Sequence, residues 1–421
     1  LKILMISTQY PYPKDNGKKI ILSSILEYFI ERYGNDSVEY IVVGDSSLEE
    51  KPVVKVQLFN RPSVIEQVKN VLLYSGLLRK KSIQEAVLFS SKIKKRLIEY
   101  IESSKFDIVV YDTIRISQFF EDYQFNKTKE FVYLDDLFSV RYEKILKTIK
   151  EFPDIDFNVI GNFSKFLPVF AQKIVSFRTL NKFLLEFERR LIKKREIETA
   201  KMYSNSLLIS QKEANLLNER SKCSTVKSIR PVVINRKEIL YNRNFTGEPN
   251  FIFLGALNIP HNNVSIYNFI KLNMNKLIKE IPNVKLQIVG KNPSSKLIEL
   301  AKNYPNNIEL LGFVDNLDLL FSKACAMIVP LLFGSGVKLK TLEAFSRGLP
   351  VIATDYGIEG IDLPLKGECI VENKIENYIH HMKILTDKTV NEKMSKLSFE
   401  FFNSYYSKNA VYSQYDCLFQ L

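Results

Sequence analysis

Short runs of β-branched and aromatic residues, bounded by polar positions, alternate along the chain with stretches whose apolar residues repeat at helical spacing. Such runs read as buried parallel strands, and the intervening periodic stretches as the helices that cover them. In the first half the pattern predicts strands at 2–7, Val38–Val43, Val53–Leu58, Asp107–Tyr111, Glu130–Leu134 and Ser206–Ile209. It predicts helices at Lys18–Tyr33, over much of the lysine-rich 63–104 region, and at Gln211–Asn218. A long helical stretch over 138–204, broken near Pro153 and Gly161, makes a helical insertion in this α/β unit. The polar segment 235–250, with Gly247 and Pro249, reads as a linker. Beyond it the predicted strands are Asn250–Leu254, Val284–Val289, Ile308–Leu311, Ala326–Val329, Val351–Ala353 and Cys369–Val371. Helices alternate with them, as in a parallel sheet wound on both faces, which binds ligands at the carboxyl ends of its strands. Gly255, Gly290, Gly312 and Gly334 fall at or just after those ends. The last predicted helix, Val390–Leu421, is rich in Tyr and Phe and is expected to pack widely.

The stretch 327–354, MIVPLLFGSGVKLKTLEAFSRGLPVIAT, is the most informative in the chain. An apolar strand runs into Gly334-Ser335-Gly336, a helix follows, Gly348 closes it, and Pro350 opens another strand. Glycines allow close backbone approach to a ligand, and a helix start offers amide N–H groups to an anion. Lys338 and Lys340 add positive charge there, so the unit reads as a diphosphate cradle. The same residues also fit a plainer reading. Lys340, Glu343 and Arg347 share one helical face, as a surface ion-pair ladder would.

A chain of 421 residues predicts two domains, here 1–235 and 236–399, with the terminal helix 400–421 packing back on the first. Three histidines, two of them in the polar helix at His380-His381, argue against a histidine-built metal site. Four cysteines without CxxC spacing fit reduced thiols. The chain opens on a strand, which predicts no signal peptide, and no apolar run reaches the roughly 20 residues that span a bilayer. These features predict a cytoplasmic protein. The net charge of +13 calls for an anionic partner. No aromatic-interleaved basic motif or helix-turn-helix pattern points to nucleic acid. An anionic membrane surface fits better, because Phe163–Phe187 mixes apolar residues with Lys165, Lys173, Arg178 and Lys182 against one acid, Glu186. A helix that merely packs its apolar side on the domain would look the same.

With these residues in place, the second half resembles the donor-binding domain of glycosyltransferase family 4, the retaining family with the GT-B fold. The motifs that carry the resemblance are Phe253-Leu-Gly255, Val289-Gly290, Leu311-Gly-Phe-Val-Asp315, Pro330 through Thr354, and Gly357-Ile-Glu-Gly360. In the first half, Lys2-Ile-Leu, Tyr10-Pro-Tyr-Pro with Gly17, Leu134 through Tyr142, and Glu188 with Ser210 through Glu213 are similar to the family's pattern. The resemblance implies two Rossmann-like doubly wound domains facing a cleft. It also implies a nucleotide-diphospho-sugar as donor, a glycan or lipid-linked acceptor, and no metal or other cofactor. Bacterial enzymes of cell-surface polysaccharide synthesis are the subgroup it points to.

By the same resemblance, Lys338 and Lys340 would neutralise the diphosphate and Glu343 would bind the ribose. Backbone at Gly334, Ser335, Gly336 and Val337 would face the sugar or phosphate, while Gly312, Phe313 and Val314 would lie at the base. Gly255 and Gly290 would line the donor site, with His261 or Asn262 replacing a basic residue that relatives carry after the first glycine, unless that segment is only a loop turn. Gly17, Asp135 and Arg141 would serve the acceptor side, although Asp135, Ser139 and Arg141 also fit an N-cap with a first-turn charge pair. Asp112 stands where relatives carry a histidine and would orient the acceptor or cap the next helix. One departure is notable: Ser335 occupies the place of the first glutamate in the family's Glu-x7-Glu motif. It leaves open a non-catalytic GT-B subunit that pairs with an active transferase. A sugar-nucleotide epimerase of the same shape would need more acids and a histidine in the cleft.

Overall fold

The computed structural model describes residues 1–14, 16–44, 47–151, 178–234, 241 and 243–420. The chain divides into two compact units, Leu1–Pro231 with Tyr415–Leu421, and Val232–Gln414.

The first unit holds strands β1 (Ile3–Ser7), β2 (Val38–Val43), β3 (Lys55–Phe59), β4 (Ile108–Asp112), β5 (Lys129–Asp135), β6 (Ser206–Leu208) and β7 (Val226–Ser228). Its helices are α1 (Gly17–Tyr33), α2 (Val64–Asn70), α3 (Ile83–Leu88), α4 (Ser91–Ser104), α5 (Ile114–Ser117), α6 (Phe138–Glu151), α7 (Arg178–Met202) and α8 (Gln211–Ser221). A π-helical stretch, Val71–Leu77, continues α2. The strands form one sheet in the order β3-β2-β1-β4-β5-β6-β7, with every pairing parallel. β1 and β4 are buried along their whole length, which requires helices on both faces. Local chemistry sets the helix ends. The Asn16 side chain accepts from the Lys19 amide at 3.1 Å to start α1, and Gly34, at φ +83°, ends it.

The second unit holds β8 (Asn250–Leu254), β9 (Lys285–Val289), β10 (Ile308–Gly312), β11 (Ala326–Val329), β12 (Val351–Ala353) and β13 (Ile370–Val371). Its helices are α9 (Pro260–Glu280), α10 (Ser295–Lys302), α11 (Asp318–Lys323), α12 (Leu339–Phe345), α13 (Tyr378–Leu385), α14 (Lys388–Tyr405) and most of α15 (Lys408–Leu418). The order β10-β9-β8-β11-β12-β13 is again wholly parallel and repeats the pattern of the first sheet. Alternation along β8 sorts its side chains between two cores. Phe251 and Phe253 pack with Ile266, Phe269 and Ile270 of α9, whereas Ile252 packs with Leu342 and Phe345 of α12 and Phe402 of α14. Each sheet thus reverses direction once, between β1 and β4 and between β8 and β11. Such a switch point leaves a crevice at the strand carboxyl ends.

Several predicted elements differ in the structure. The third strand is Lys55–Phe59, later than expected, because Val53 and Val54 instead serve the turn where the Val53 amide donates to the Tyr10 hydroxyl at 2.9 Å. The short edge strand β7 has too few residues to show a period. The final helix is two helices. Tyr406 closes α14, and the Ser407 hydroxyl accepts from the Ala410 amide at 3.3 Å to start the next. The chain then ends in the first unit, where Phe419 packs on Phe29 and Phe131 with ring centroids 4.8 Å apart in each pair. The breaks expected near Pro153 and Gly161, and most of Phe163–Phe187, lie outside the described residues. Among the described residues no helix is long and apolar enough to cross a membrane.

Candidate functional site

In the second unit, most of the predicted donor-side residues stand where β8, β9, β10 and β11 end, with Glu343 apart on the following helix beside Arg347. Gly255 follows β8, and its amide donates to the Val289 carbonyl at 2.9 Å; the Gly290 amide donates to the Gly312 carbonyl at 2.7 Å. A Cβ on Gly290 would lie 1.9 Å from the Gly255 carbonyl oxygen, so only glycine fits between these strand ends. A Cβ on Gly255 would lie 2.6 Å from the Lys340 Nζ and 2.8 Å from the Asn262 side chain. Gly255 therefore keeps open the space that Lys340 enters.

The glycine loop differs from the expected arrangement in one respect. α12 begins only at Leu339 and has seven residues, so the loop itself, not a helix start, presents the backbone. Gly334 and Gly336 take φ of +144° and +78°. Among the described residues, the amides of Gly334, Ser335, Gly336 and Val337 have no protein acceptor. Successive free amides in such a loop form a concavity that suits an anion. Behind them, Lys338 is buried, donating to the carbonyls of Ser335 (3.0 Å) and Gly336 (2.6 Å), with Glu359 at 3.5 Å. The segment that carries Glu359 is held close because Gly360 has no side chain; a Cβ there would meet Val337 at 2.5 Å.

Lys340 does not join the surface ladder with Glu343 and Arg347. Its Nζ donates to Asn262 Oδ1 at 2.6 Å and lies 5.1 Å from the centroid of the Phe253 ring. Asn262 is itself fixed, donating to the Ala256 carbonyl at 2.9 Å. Burial without an acid to offset it lowers the Lys340 ammonium to about 7. His261, beside Gly334, is held neutral: burial first, then Lys340 and Lys338, lower it to about 3. Glu343 lies on α12 within 3.5 Å of Arg347, and burial raises its carboxyl. Arg347 pairs more closely with Asp318, at 2.8 Å. Phe313 is exposed after β10, with the Lys291 ammonium 4.0 Å from its ring centroid. Gly312 takes φ +66° and Val314 packs at the edge of the core.

In the first unit, the equivalent switch point brings β1, β4 and the start of α1 together. Asp112, at the end of β4, accepts from the Ser7 hydroxyl at 2.6 Å and lies 2.9 Å from the Lys18 ammonium. It caps no helix; Thr113 precedes α5 instead. Gly17, the first residue of α1, brings Lys18 to this position. Asp135 sits at φ +69°, accepts from the Tyr133 hydroxyl at 2.8 Å, and has its carboxyl raised by burial and by neighbouring Asp136. Arg141 pairs with Asp136, at 2.5 Å, and not with Asp135, which removes the expected first-turn pair. Ser139 donates through its amide to Glu196 at 3.0 Å.

Sequence reasoning missed Lys18, Asp136, Lys291 and Glu359 as members of these clusters. Lys18, Asp136 and Lys291 adjoin residues that were named, and Glu359 lies within the named Gly357–Gly360 motif, so adjacency was an available signal. Which partner each meets depends on tertiary approach.

Residues 248–387 match the family model described as Glycosyl transferases group 1. Over 433 aligned residues the chain is 23% identical to the "uncharacterized 44.6 kDa protein in cps region" of Klebsiella pneumoniae, covering 98% of each. A 143-residue segment is 32% identical to the poly(glycerol-phosphate) alpha-glucosyltransferase of Bacillus subtilis strain 168, covering 32% of this chain and 21% of that protein. Among solved structures, Anabaena HepE in complex with UDP superposes with a TM-score of 0.59 at 12% identity, over 100% of both chains. The chain therefore has the two-domain GT-B glycosyltransferase fold, and its second unit matches glycosyl transferases group 1.

Proposed function

We propose that the protein is a retaining, metal-independent glycosyltransferase of the family 4 type. It moves a hexose-type sugar from a nucleotide-diphospho-sugar to a glycan or lipid-linked acceptor in cell-surface polysaccharide synthesis, at the cytoplasmic face of a membrane. The observation that carries this reading is the loop of four acceptor-free amides, Gly334 to Val337, flanked by Lys338 and Lys340 at the switch point of the second sheet. Relatives support the substrate class: HepE is described in complex with UDP, and the Bacillus subtilis relative is named as a glucosyltransferase.

In this reading the loop amides and Lys338 hold the diphosphate, and Lys340 supplies the remaining positive charge. Glu343 binds the ribose, and Phe313 with Val314 borders the base. Asp112, Asp135, Arg141 and Gly17 serve the acceptor. An acceptor hydroxyl oxygen bonds to the anomeric carbon as the bond from that carbon to the phosphate oxygen breaks. The hydroxyl proton passes to the leaving diphosphate on the same face, so no side-chain base is needed. Fixed donors aimed at the developing phosphate charge stabilise that step, and removing one such contact typically costs about 10²–10³-fold in rate.

Ser335 supports a second reading, a non-catalytic GT-B subunit that binds a donor without turning it over. Incubation of the purified protein with UDP-, GDP- and ADP-sugars, with and without EDTA, separates the two. Release of free nucleotide in both conditions is expected. Binding without release favours the silent subunit, and release abolished by EDTA contradicts metal independence.

A further inference from the structure

Between β3 and α3 the first unit carries a segment folded with its polar side inward. Gln67, Asn70 and Ser75 are buried, at 7%, 7% and 0% exposure, while Ile65, Leu72 and Leu77 stand out at 83%, 67% and 77%. The inward residues are held in place: Gln67 Nε2 donates to the Pro62 carbonyl at 2.8 Å and Asn70 Nδ2 to the Phe89 carbonyl at 2.7 Å. Val64, Ile65, Leu72, Leu77 and Leu78 are the exposed large apolar side chains of this segment, and with exposed Lys69 and Gly76 they make its outward stripe. A surface helix of a soluble protein has the opposite polarity, so this stripe needs an apolar cover.

Charge identifies the cover. Residues 61–81 carry Arg61, Lys69, Arg79, Lys80 and Lys81 against one acid, Glu66. The Lys194 ammonium donates to the Arg79 carbonyl at 3.4 Å and so joins the exposed side of α7 to the same surface; there Arg190 and Lys194 pair with Glu186 and Glu198, and Lys193 is exposed beside them. Phe183, 69% exposed, shares that side of α7 with Lys194. Apolar side chains ringed by lysine and arginine match an anionic bilayer, which offers hydrocarbon below a layer of negative headgroups. A second copy of this chain, itself at +13, would meet the surface with like charge.

We infer that the outward stripe of α2 and the π-helical stretch, with the neighbouring basic end of α7, docks the first unit on an anionic lipid bilayer. The inference rests on the membrane-associated part of the proposed function and gives it a surface. The segment leaves the sheet at the carboxyl ends of β2 and β3, where Arg61 Nε donates to the Gly44 carbonyl at 2.7 Å. Lys18 and Asp112 lie at that same end of the sheet. A lipid-linked acceptor would thus be met at the end of the unit that carries the acceptor residues.

The test is co-sedimentation of the full chain with vesicles of phosphatidylglycerol and phosphatidylcholine, and with vesicles of phosphatidylcholine alone. The wild type is expected to bind only the anionic vesicles. Leu72→Glu/Leu77→Glu should weaken that binding at least ~10-fold, and Lys69→Glu/Lys80→Glu by roughly fivefold or more for each lysine. Both variants should keep the wild-type melting temperature and the wild-type response to UDP, since these side chains are exposed. Equal binding by wild type and variants overturns the assignment of this surface. No binding of wild type to anionic vesicles overturns the membrane association as well. A dimeric wild type converted to monomer by Leu72→Glu/Leu77→Glu assigns the face to a second copy and also overturns the inference. Loss of the UDP response with vesicle binding intact would count against the donor reading alone.

Discussion

Lys340 is an ammonium whose hydrogen-bond partner is a neutral amide, Asn262, and no acid offsets its burial. The free protein therefore holds it near neutrality, at about 7. An anionic diphosphate restores the missing counter-charge and raises its proton affinity, so binding above pH 7 takes up a proton. UDP affinity is therefore highest near pH 7 and weakens as pH rises above it, by up to about tenfold per unit. Calorimetric titration at pH 7, 8 and 9 checks this, and Lys340→Arg should flatten the profile because guanidinium does not titrate there. Gly290→Ala places its Cβ 1.9 Å from a backbone oxygen, so it should lower the melting temperature of the second unit and abolish UDP binding together. Gly255→Ala meets side chains, the Lys340 ammonium and the fixed Asn262 amide, so it should weaken UDP binding with a smaller loss of melting temperature than Gly290→Ala, which meets backbone. The strand-end glycines were legible in the sequence because a glycine at that register has few other uses. The burial of Lys338 was not, since it depends on Gly360 letting the Glu359 segment approach.

Among the elements, α7 is a scaffold whose carboxylates accept from the first-turn amides of other helices. Glu188 accepts from the amides of Ile83 (2.7 Å) and Gln84 (3.2 Å) at the start of α3, and Glu196 accepts from the Ser139 amide at the start of α6. Burial raises these carboxyls to about 7 and about 8 respectively. For Glu196, with Arg220 and Asp136 as its charged neighbours, the folded state holds the proton more tightly than the unfolded chain. Its contribution to stability is therefore full below its ordinary value near 4.5 and is lost as pH rises through about 8. Glu196→Gln should remove part of the fall in melting temperature between pH 5 and 8, whereas Glu196→Ala should cost about 1–3 kcal/mol by leaving the Ser139 amide without its cap. Thermal melts across that range decide between these outcomes. Glu188 stood out in the sequence only through family resemblance, and its capping role required the fold. Strands β1, β2, β8 and β11 were legible because burial on both faces selects unbroken β-branched and aromatic runs. The split between α14 and α15 was not, because Tyr406 and Ser407 sit inside a stretch that keeps helical composition on either side.

For the whole molecule, two sheets with the same parallel strand order each present a switch point, and each switch point carries a charged cluster. In the second unit the cluster has excess positive charge and free amides; in the first, Lys18, Arg115 and Arg141 are matched by Asp112, Asp135 and Asp136. That asymmetry fits the proposed function, in which the diphosphate binds the second unit and the uncharged hydroxyl of an acceptor meets the first. The alternation of strands and helices made the two-unit architecture legible from the pattern of apolar residues. Pairings across each switch point were not legible, because Lys18 with Asp112 and Asn262 with Lys340 are brought together only by chain crossovers. The proposed function requires the second unit to bind a nucleoside diphosphate through the Gly334–Lys340 loop. The direct measurement is thermal shift of the full chain with UDP, GDP and ADP at millimolar concentration, with Lys338→Ala and Glu343→Ala beside the wild type. At least one nucleotide should raise the wild-type melting temperature, and neither variant should respond. No shift with any of the three would contradict the claim, as would an undiminished shift in both variants.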